Sequence, residues 1–435
     1  MASHASFASL ASFALLAALP TLASAYAMVA LLWFSLIAFA VLGGADFGAG
    51  IWDLLAFGRD AEGERGALIR AIGPIWEANE IWLIFLITGL FTAFPIIFST
   101  LSVALFFPVM IALIGTVMRG ASFAYYSHFR QHLGARVGWG RVFSIFSVIA
   151  PFFYGVMAGT VASAHIQAPN GVVTSDFVST WLRPFPLACG AYAVAMCALL
   201  AAVYMVVETR NTGDENLVRQ FRARALIAYA VTGALGLVAG LLAAFDAPFL
   251  WSRFVARALI PAGLTALAGI ATAALLWFGF PRLARAAVAA TVGGIFLSWG
   301  VAQFPYLIPP DLSIQNTASP PSVMGPLFIS TLIGMTLLLP SLWFMLYLFK
   351  ARHRPQPHPS AEEYEESLAP APEPLDVAGG LGKALSGAGP TTRLTARALA
   401  VGVFLGATLA GMLGVATILA NRRMSAHDTT KARMS

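Results

Sequence analysis

The stretch "GPIWEANEIWLI", residues 73–84, sets two carboxylates (Glu77, Glu80), an amide (Asn79) and two indoles (Trp76, Trp82) at the mouth of a long apolar run. Two readings compete. Acids at a helix start complement the helix dipole, Pro74 suits the first turn, and tryptophans mark membrane interfaces. Alternatively, an acid carried into the bilayer costs several kcal/mol and is by default a functional group. The rest of the chain decides the fold. Its 435 residues are 59% hydrophobic and only 11% charged, with a mean hydropathy of +0.78, far from the composition of soluble domains.

The chain therefore reads as an all-α polytopic membrane protein. A span needs about 20 apolar residues, and the Gly, Pro and Arg punctuation places nine core transmembrane helices near 28–55, 80–98, 101–118, 142–164, 184–207, 225–245, 257–279, 284–304 and 325–349. Two four-helix bundles plus one peripheral helix accommodate them. A tenth run, 398–420, adds an extra C-terminal transmembrane helix. Small residues Gly402, Gly406 and Ala410 on it permit close helix approach. Between them, residues 350–397 form a Pro/Glu-rich linker that cannot bury enough apolar surface to order itself, and 421–435 is a polar tail. Residues 1–27 are an apolar extension without Lys or Arg. They fit a signal peptide lacking its basic start, or a mis-assigned beginning with Met28 as the true one.

The net charge of +6 does not form a nucleic-acid patch, because the basic residues sit between spans. Nineteen fall on one side: Arg59, Arg65, Arg70, Arg119, Arg130, Arg136, Arg141, Arg210, Arg219, Arg222, Arg224, Arg282, Arg285 and the six in 350–397. Before the tenth run the other side holds Arg183, Arg253 and Arg257. The positive-inside rule then puts the N-terminus outside and 350–397 in the cytoplasm. Cys189 and Cys197 lie eight apart on one span, too far for a disulfide between them.

Three acids stand out: Asp46, between glycines in "VLGGADFGAGIWD" that allow close approach, and Glu77 and Glu80 flanking Asn79. A protonatable carboxylate beside an amide can hold or relay a proton. Histidines limit the chemistry. His4, His128, His132, His353, His358 and His427 fall outside the spans and His165 sits at a span end, so no bis-histidine haem site is available. The "HFRQH" pair, His128 and His132, reads as a solvated basic loop rather than a metal site.

Four blocks resemble subunit II of the cytochrome bd type quinol oxidases, including the cyanide-insensitive branch: "FAVLGGADFGAG" (39–50), "GPIWEANEIWLI" (73–84), "RGASFAYYSHF" (119–129) and "FPYLIPPDLSI" (304–314). They occur in the family's order and, with the nine-span layout, cover about 28–349. The resemblance implies a heterodimer in the bacterial cytoplasmic (inner) membrane. In it a haem-bearing subunit I carries two b-type haems and one d-type haem, oxidises quinol and reduces dioxygen to water. Subunit II is then the haem-free partner, supporting subunit I and contributing to a proton route, with an apolar oxygen path or a structural quinone as further family roles.

By that resemblance Glu77 takes the acidic position on the proton route, Asn79 matches the neighbouring amide, and Asp46 matches the second acid of the first-span motif. Trp76 matches the tryptophan near the quinone and Trp82 the one near the oxygen path. Arg119 matches the basic residue closing the third span, and Glu80 keeps the simpler helix-start role. Departures are informative: Gly43 stands where many relatives carry an acid, and Ala124 and His128 stand where some carry an acid and a lysine at the proton entrance. The tenth span would correspond to a fused form of the small single-span accessory subunits, with membrane lipids and the quinol pool as remaining partners. The rivals are a secondary transporter with intramembrane carboxylates, for which no internal repeat of 73–84 is visible, and a purely structural scaffold subunit.

Overall fold

The computed structural model describes residues 2–57, 61–72, 76–128 and 133–352; within these, the side chains of 2–22, 62, 70, 72, 76–78, 126–128, 133–137, 343 and 345–352 stand outside the description. The remainder of the linker and the tenth run likewise lie outside the described residues. The described residues belong to one compact unit, 1–355.

The fold is helical almost throughout. α1 (Ala2–Leu54) continues without a break across residues 27 and 28, and its apolar, membrane-length part is Ala23–Leu54. A short helix α2 (Ala61–Ile72) precedes α3 (Trp76–Ala93) and α4 (Pro95–Ala104). α5 (Phe106–His128), α6 (Leu133–Ser163), α7 (Pro184–Thr212) and α8 (Glu215–Asp246) follow. α9 (Pro248–Arg253) runs through a π turn, Phe254–Ala258, into α10 (Leu259–Trp277). α11 (Pro281–Gln303) leads to a small hairpin, β1 (Tyr306–Ile308) and β2 (Leu312–Ser313), then to α12 (Ile314–Thr317) and α13 (Pro321–Arg352). Among the described residues eight helices are long and apolar enough to cross a membrane, or nine when the bent pair α3 and α4 counts as one span.

Two rings of helices share α1 and α7 as their common wall. α7 packs on α8, α8 on α10, α10 on α11 and α11 back on α7, while α1, α3, α4, α5 and α6 close the other ring. Among the described residues α13 rests mainly against α1 and α3. Small residues let the wall close: a Cβ added at Gly48 would sit 1.9 Å from the Cys197 carbonyl oxygen. An indole pins the same wall, Trp52 Nε1 donating to Ala198 O at 2.8 Å, and another ties α1 to α11, Trp33 Nε1 donating to Phe296 O at 3.0 Å.

The second and third spans differ from the sequence expectation. α3 stops at Ala93, and α4 departs at 116°. Pro95 at the first helical position has no N–H to give to the preceding turn, and Phe94 takes φ −137°, ψ 64°. Leu105 breaks the chain again, so the third span begins at Phe106 rather than 101 and extends to Tyr125. The carbonyls freed at the elbow find donors in Ser319, whose N–H reaches Ala93 O at 2.9 Å and whose hydroxyl reaches Thr92 O at 2.8 Å. The segment after α11 thus stabilises the bent span, and Asp311 in it accepts from Ala168 N–H at 2.9 Å.

Candidate functional site

The first-span motif forms one wall of a buried polar site. Asp46, 7% exposed, accepts from Arg119 Nη2 at 2.6 Å. Arg119, 2% exposed, also donates through Nη2 to Asp46 O at 3.1 Å and through Nε to Ser147 Oγ at 3.0 Å, between the rings of Phe47 and Phe143. This corrects the sequence placement of Arg119. With α5 shifted towards the C-terminus it does not close the third span but lies within it, as a charge neutralised by α1. Gly50 lets α6 come close enough for this, since a Cβ there would be 2.1 Å from Ser147 Oγ.

Beside the ion pair is a cavity of about 70 Å³, lined by Asp46, Asn79, Tyr204, Arg285 and mainly alanine side chains. Asn79 is 1% exposed, and neither its amide nitrogen nor its oxygen has a hydrogen-bond partner. A buried amide left unpaired is costly, and the cavity is large enough to hold water. Glu80, partly buried, lies within electrostatic reach of Arg119 and Asp46. The structure therefore brings together Asp46, Arg119, Asn79 and Glu80. Glu77 and Trp76 are on the first turn of α3, but their side chains lie outside the described residues, as does that of His128. Trp82 is set apart: it is buried, its ring meets Phe34 edge-on at 5.7 Å, and its indole N–H has no partner.

Sequence reasoning missed a second polar cluster, two helical turns from Asp46. Asp53 accepts a hydrogen bond from Ser144, and Arg65 Nε lies 3.7 Å away. Next to it, Glu64, 2% exposed, is held by both terminal nitrogens of Arg224, whose guanidinium also covers Trp52 at 5.3 Å. Asp53 was legible in principle, since residues seven apart on a helix share a face. The Glu64–Arg224 pair joins residues 160 positions apart, and no local pattern announces it. At the departure sites, a Cβ on Gly43 would lie 3.2 Å from the Phe39 ring, an apolar setting, and Ala124 is exposed.

At the opposite ends of the helices, Arg183 holds Asp246 at 2.6 Å, with His165 Nε2 3.9 Å from the same oxygen. Burial and then Arg183 push the His165 pKa below the ordinary imidazole value, opposed by Asp246. Its role is local, since Ser163 Oγ lies 2.8 Å from Nδ1.

The comparison with known proteins matches this architecture. A family model described as cytochrome bd terminal oxidase subunit II matches residues 24–349. The chain belongs to that family. It is 30% identical over 184 residues to cytochrome bd ubiquinol oxidase subunit 2 of Bacillus subtilis (strain 168), covering 41% of this chain and 53% of that one. It is 28% identical over 228 residues to cytochrome bd-I ubiquinol oxidase subunit 2 of Escherichia coli (strain K12), covering 50% of this chain and 57% of the relative. The matched stretches thus span about half of each of these relatives. A solved bd oxidase from Geobacillus thermodenitrificans has the same fold, with a TM-score of 0.60 over 76% of this chain and 99% of that one at 18% identity. A bd subunit II with this layout is a multi-pass protein of the bacterial inner membrane. Its membrane-spanning segments contain no histidine, and no group of three or more His, Cys, Asp or Glu that could hold a metal occurs among the described residues.

Proposed function

We propose that this chain is the haem-free subunit II of a quinol oxidase that reduces dioxygen to water, and that it gives protons a buried path towards a haem-bearing subunit I. The observation that carries the proton role is the cavity joining Asp46 to an unpartnered, buried Asn79. A burial this costly is retained where the group serves the cavity's contents, and water there would link Asp46, Asn79 and the start of α3, where Glu77 stands.

The entrance differs from that of relatives with acids at the positions of Gly43 and Ala124. Asp53 is the replacement we assign. It lies about 10 Å from Asp46 along α1, at 1.5 Å per residue, and Ser144 and Ser147 bridge that interval on α6. Ser144 serves Asp53 and Ser147 accepts from Arg119. Arg119 donates to both Asp46 and Ser147, so it orients Asp46 rather than carrying the load. Trp82 supports a separate role on an apolar path for oxygen, away from the polar thread. A structural quinone near Trp76 and an accessory role for the tenth run stay part of the same reading.

The test of the subunit assignment is copurification. Tagged chain isolated from its native membrane should carry a larger subunit, with haem b and haem d in the optical difference spectrum, while the chain expressed alone should bind no haem. A stoichiometric low-spin haem spectrum from the chain alone would overturn the haem-free assignment. Isolation of an intact complex without d-type haem would overturn the oxidase assignment.

A further inference from the structure

The side of the molecule poor in basic residues has three arginines before the tenth run, and among the described residues only Arg183 has a counter-ion. Arg183 is bound by Asp246 through both Nε and Nη2, at 2.8 and 2.6 Å. Arg253 and Arg257 instead converge on a single backbone carbonyl. Arg257 Nη1 donates to Phe304 O at 3.1 Å, Arg253 Nη2 donates to the same oxygen, and Arg253 Nε donates to Ala302 O at 2.9 Å. Arg253 caps the π turn Phe254–Ala258 and Arg257 lies within it. None of the ion pairs among the described residues includes either one.

Capping of the α11 C-terminus explains part of this arrangement, because cations near the last carbonyls are favourable. It does not explain two. Phe304 O can accept both N–H groups through its two lone pairs, yet the second guanidinium adds like-charge repulsion that no acid among the described residues offsets. Three N–H groups are engaged by carbonyls, whereas each guanidinium has five. The Arg253 guanidinium rests on the rings of Phe249 and Tyr306, each at 5.3 Å, which fixes its plane, while Arg257 is exposed.

Depth places this cationic pair at a membrane surface. The continuous segment Pro248–Trp277 has 30 residues, about 45 Å of helix, against about 30 Å of hydrocarbon. With Trp277 at one interface, the hydrocarbon is filled by about 20 residues back to Ala258. Arg253 and Arg257 then sit at headgroup level, and Trp251, stacked on Phe254 with ring centroids 6.4 Å apart and 38% exposed, flanks them.

We propose that Arg253 and Arg257 form a binding site for an anionic phospholipid headgroup. The phosphodiester oxygens bridge the two guanidiniums, and the Trp251–Phe254 face lies against the glycerol and upper acyl region. A phosphodiester supplies the planar pair of acceptors that guanidinium matches, and a net-negative headgroup neutralises the second charge. A choline headgroup returns a positive charge to the same place and is disfavoured.

Native mass spectrometry of the purified complex in detergent, titrated with phosphatidylglycerol or phosphatidylcholine, tests this site. Arg257→Gln is the first variant, because that side chain is exposed and makes one hydrogen bond; unchanged haem content reports an intact complex. One phosphatidylglycerol binding step should weaken about tenfold in R257Q, be lost in R257E, and be largely kept in R257K, with phosphatidylcholine binding unchanged throughout. Identical phosphatidylglycerol binding in the wild type and R257E would overturn the site. Loss of that step on adding millimolar inorganic phosphate alone would assign the arginines to free phosphate and overturn the lipid assignment.

Discussion

Asp46 and Arg119 explain each other at the residue scale. Either charge alone would be untenable between α1, α5 and α6, and the pair is held by a 2.6 Å contact, a serine and two aromatic faces. Removing one partner of such a pair costs about 3–5 kcal/mol because the other charge is left buried, whereas replacing both by apolar groups is often neutral. We expect Asp46→Leu and Arg119→Met each to lower the thermal stability of the complex sharply, and the double variant to recover much of the loss. Additive losses in the double-mutant cycle would mean that the two residues act independently. The sequence marked both residues as candidates but could not pair them, because 73 positions separate them and the apolar run hid where α5 begins. Asn79 illustrates the opposite case: its proximity to two acids was plain in the sequence, while its empty hydrogen-bonding capacity is visible only when the cavity is seen.

At the scale of elements, composition and run length identified the helices, and local chemistry set their ends. The elbow at Phe94 is the instructive failure. Hydropathy continues through Pro95, so a window of about 20 residues sees one span, yet the missing N–H and the donors brought by Ser319 from over 200 residues away make a bend. Conversely, the glycines of the first-span motif were correctly read as sites of close approach. Gly48→Ala should destabilise the complex by about 1–3 kcal/mol through overpacking, because the new methyl meets the Cys197 carbonyl oxygen. Gly63→Ala, in α2 with nothing within 4 Å of its Cβ, should be neutral or stabilising by about 0.5–1 kcal/mol through helix propensity. Thermal unfolding of the two variants side by side checks the contrast, and equal effects would remove close packing as the reason for Gly48.

Across the whole molecule, the sequence carried the class and the family resemblance; the helical fold bears out the first and the family model the second, while eight or nine helices of membrane-spanning length stand among the described residues and the tenth run lies outside them. Sidedness rests on the arginine count. Single cysteines introduced at Ser175 and Ser367 should label from opposite faces, Ser175 from outside and Ser367 from the cytoplasm; the reverse pattern would invert the topology, and labelling from one face would remove a span. The proton path proposed above requires this orientation, since Asp53 and Arg65 lie at the end assigned to the cytoplasm and the Arg253–Arg257 pair at the other.

The most direct test of a participating subunit II is quinol-driven oxygen consumption by the purified complex carrying Glu77→Gln, with haem content measured in the same sample. A carboxylate can take up and release a proton and the amide cannot, so turnover should fall by about tenfold or more with the haems intact, while Glu77→Asp retains much of the activity. Glu80→Gln should do less, and Asp53→Asn should reproduce the Glu77→Gln loss if Asp53 is the entrance. Normal turnover in Asp53→Asn beside slow turnover in Glu77→Gln would relocate the entrance alone. Full turnover in Glu77→Gln, with the complex and its haems intact, would contradict the proton role and leave this chain as a scaffold.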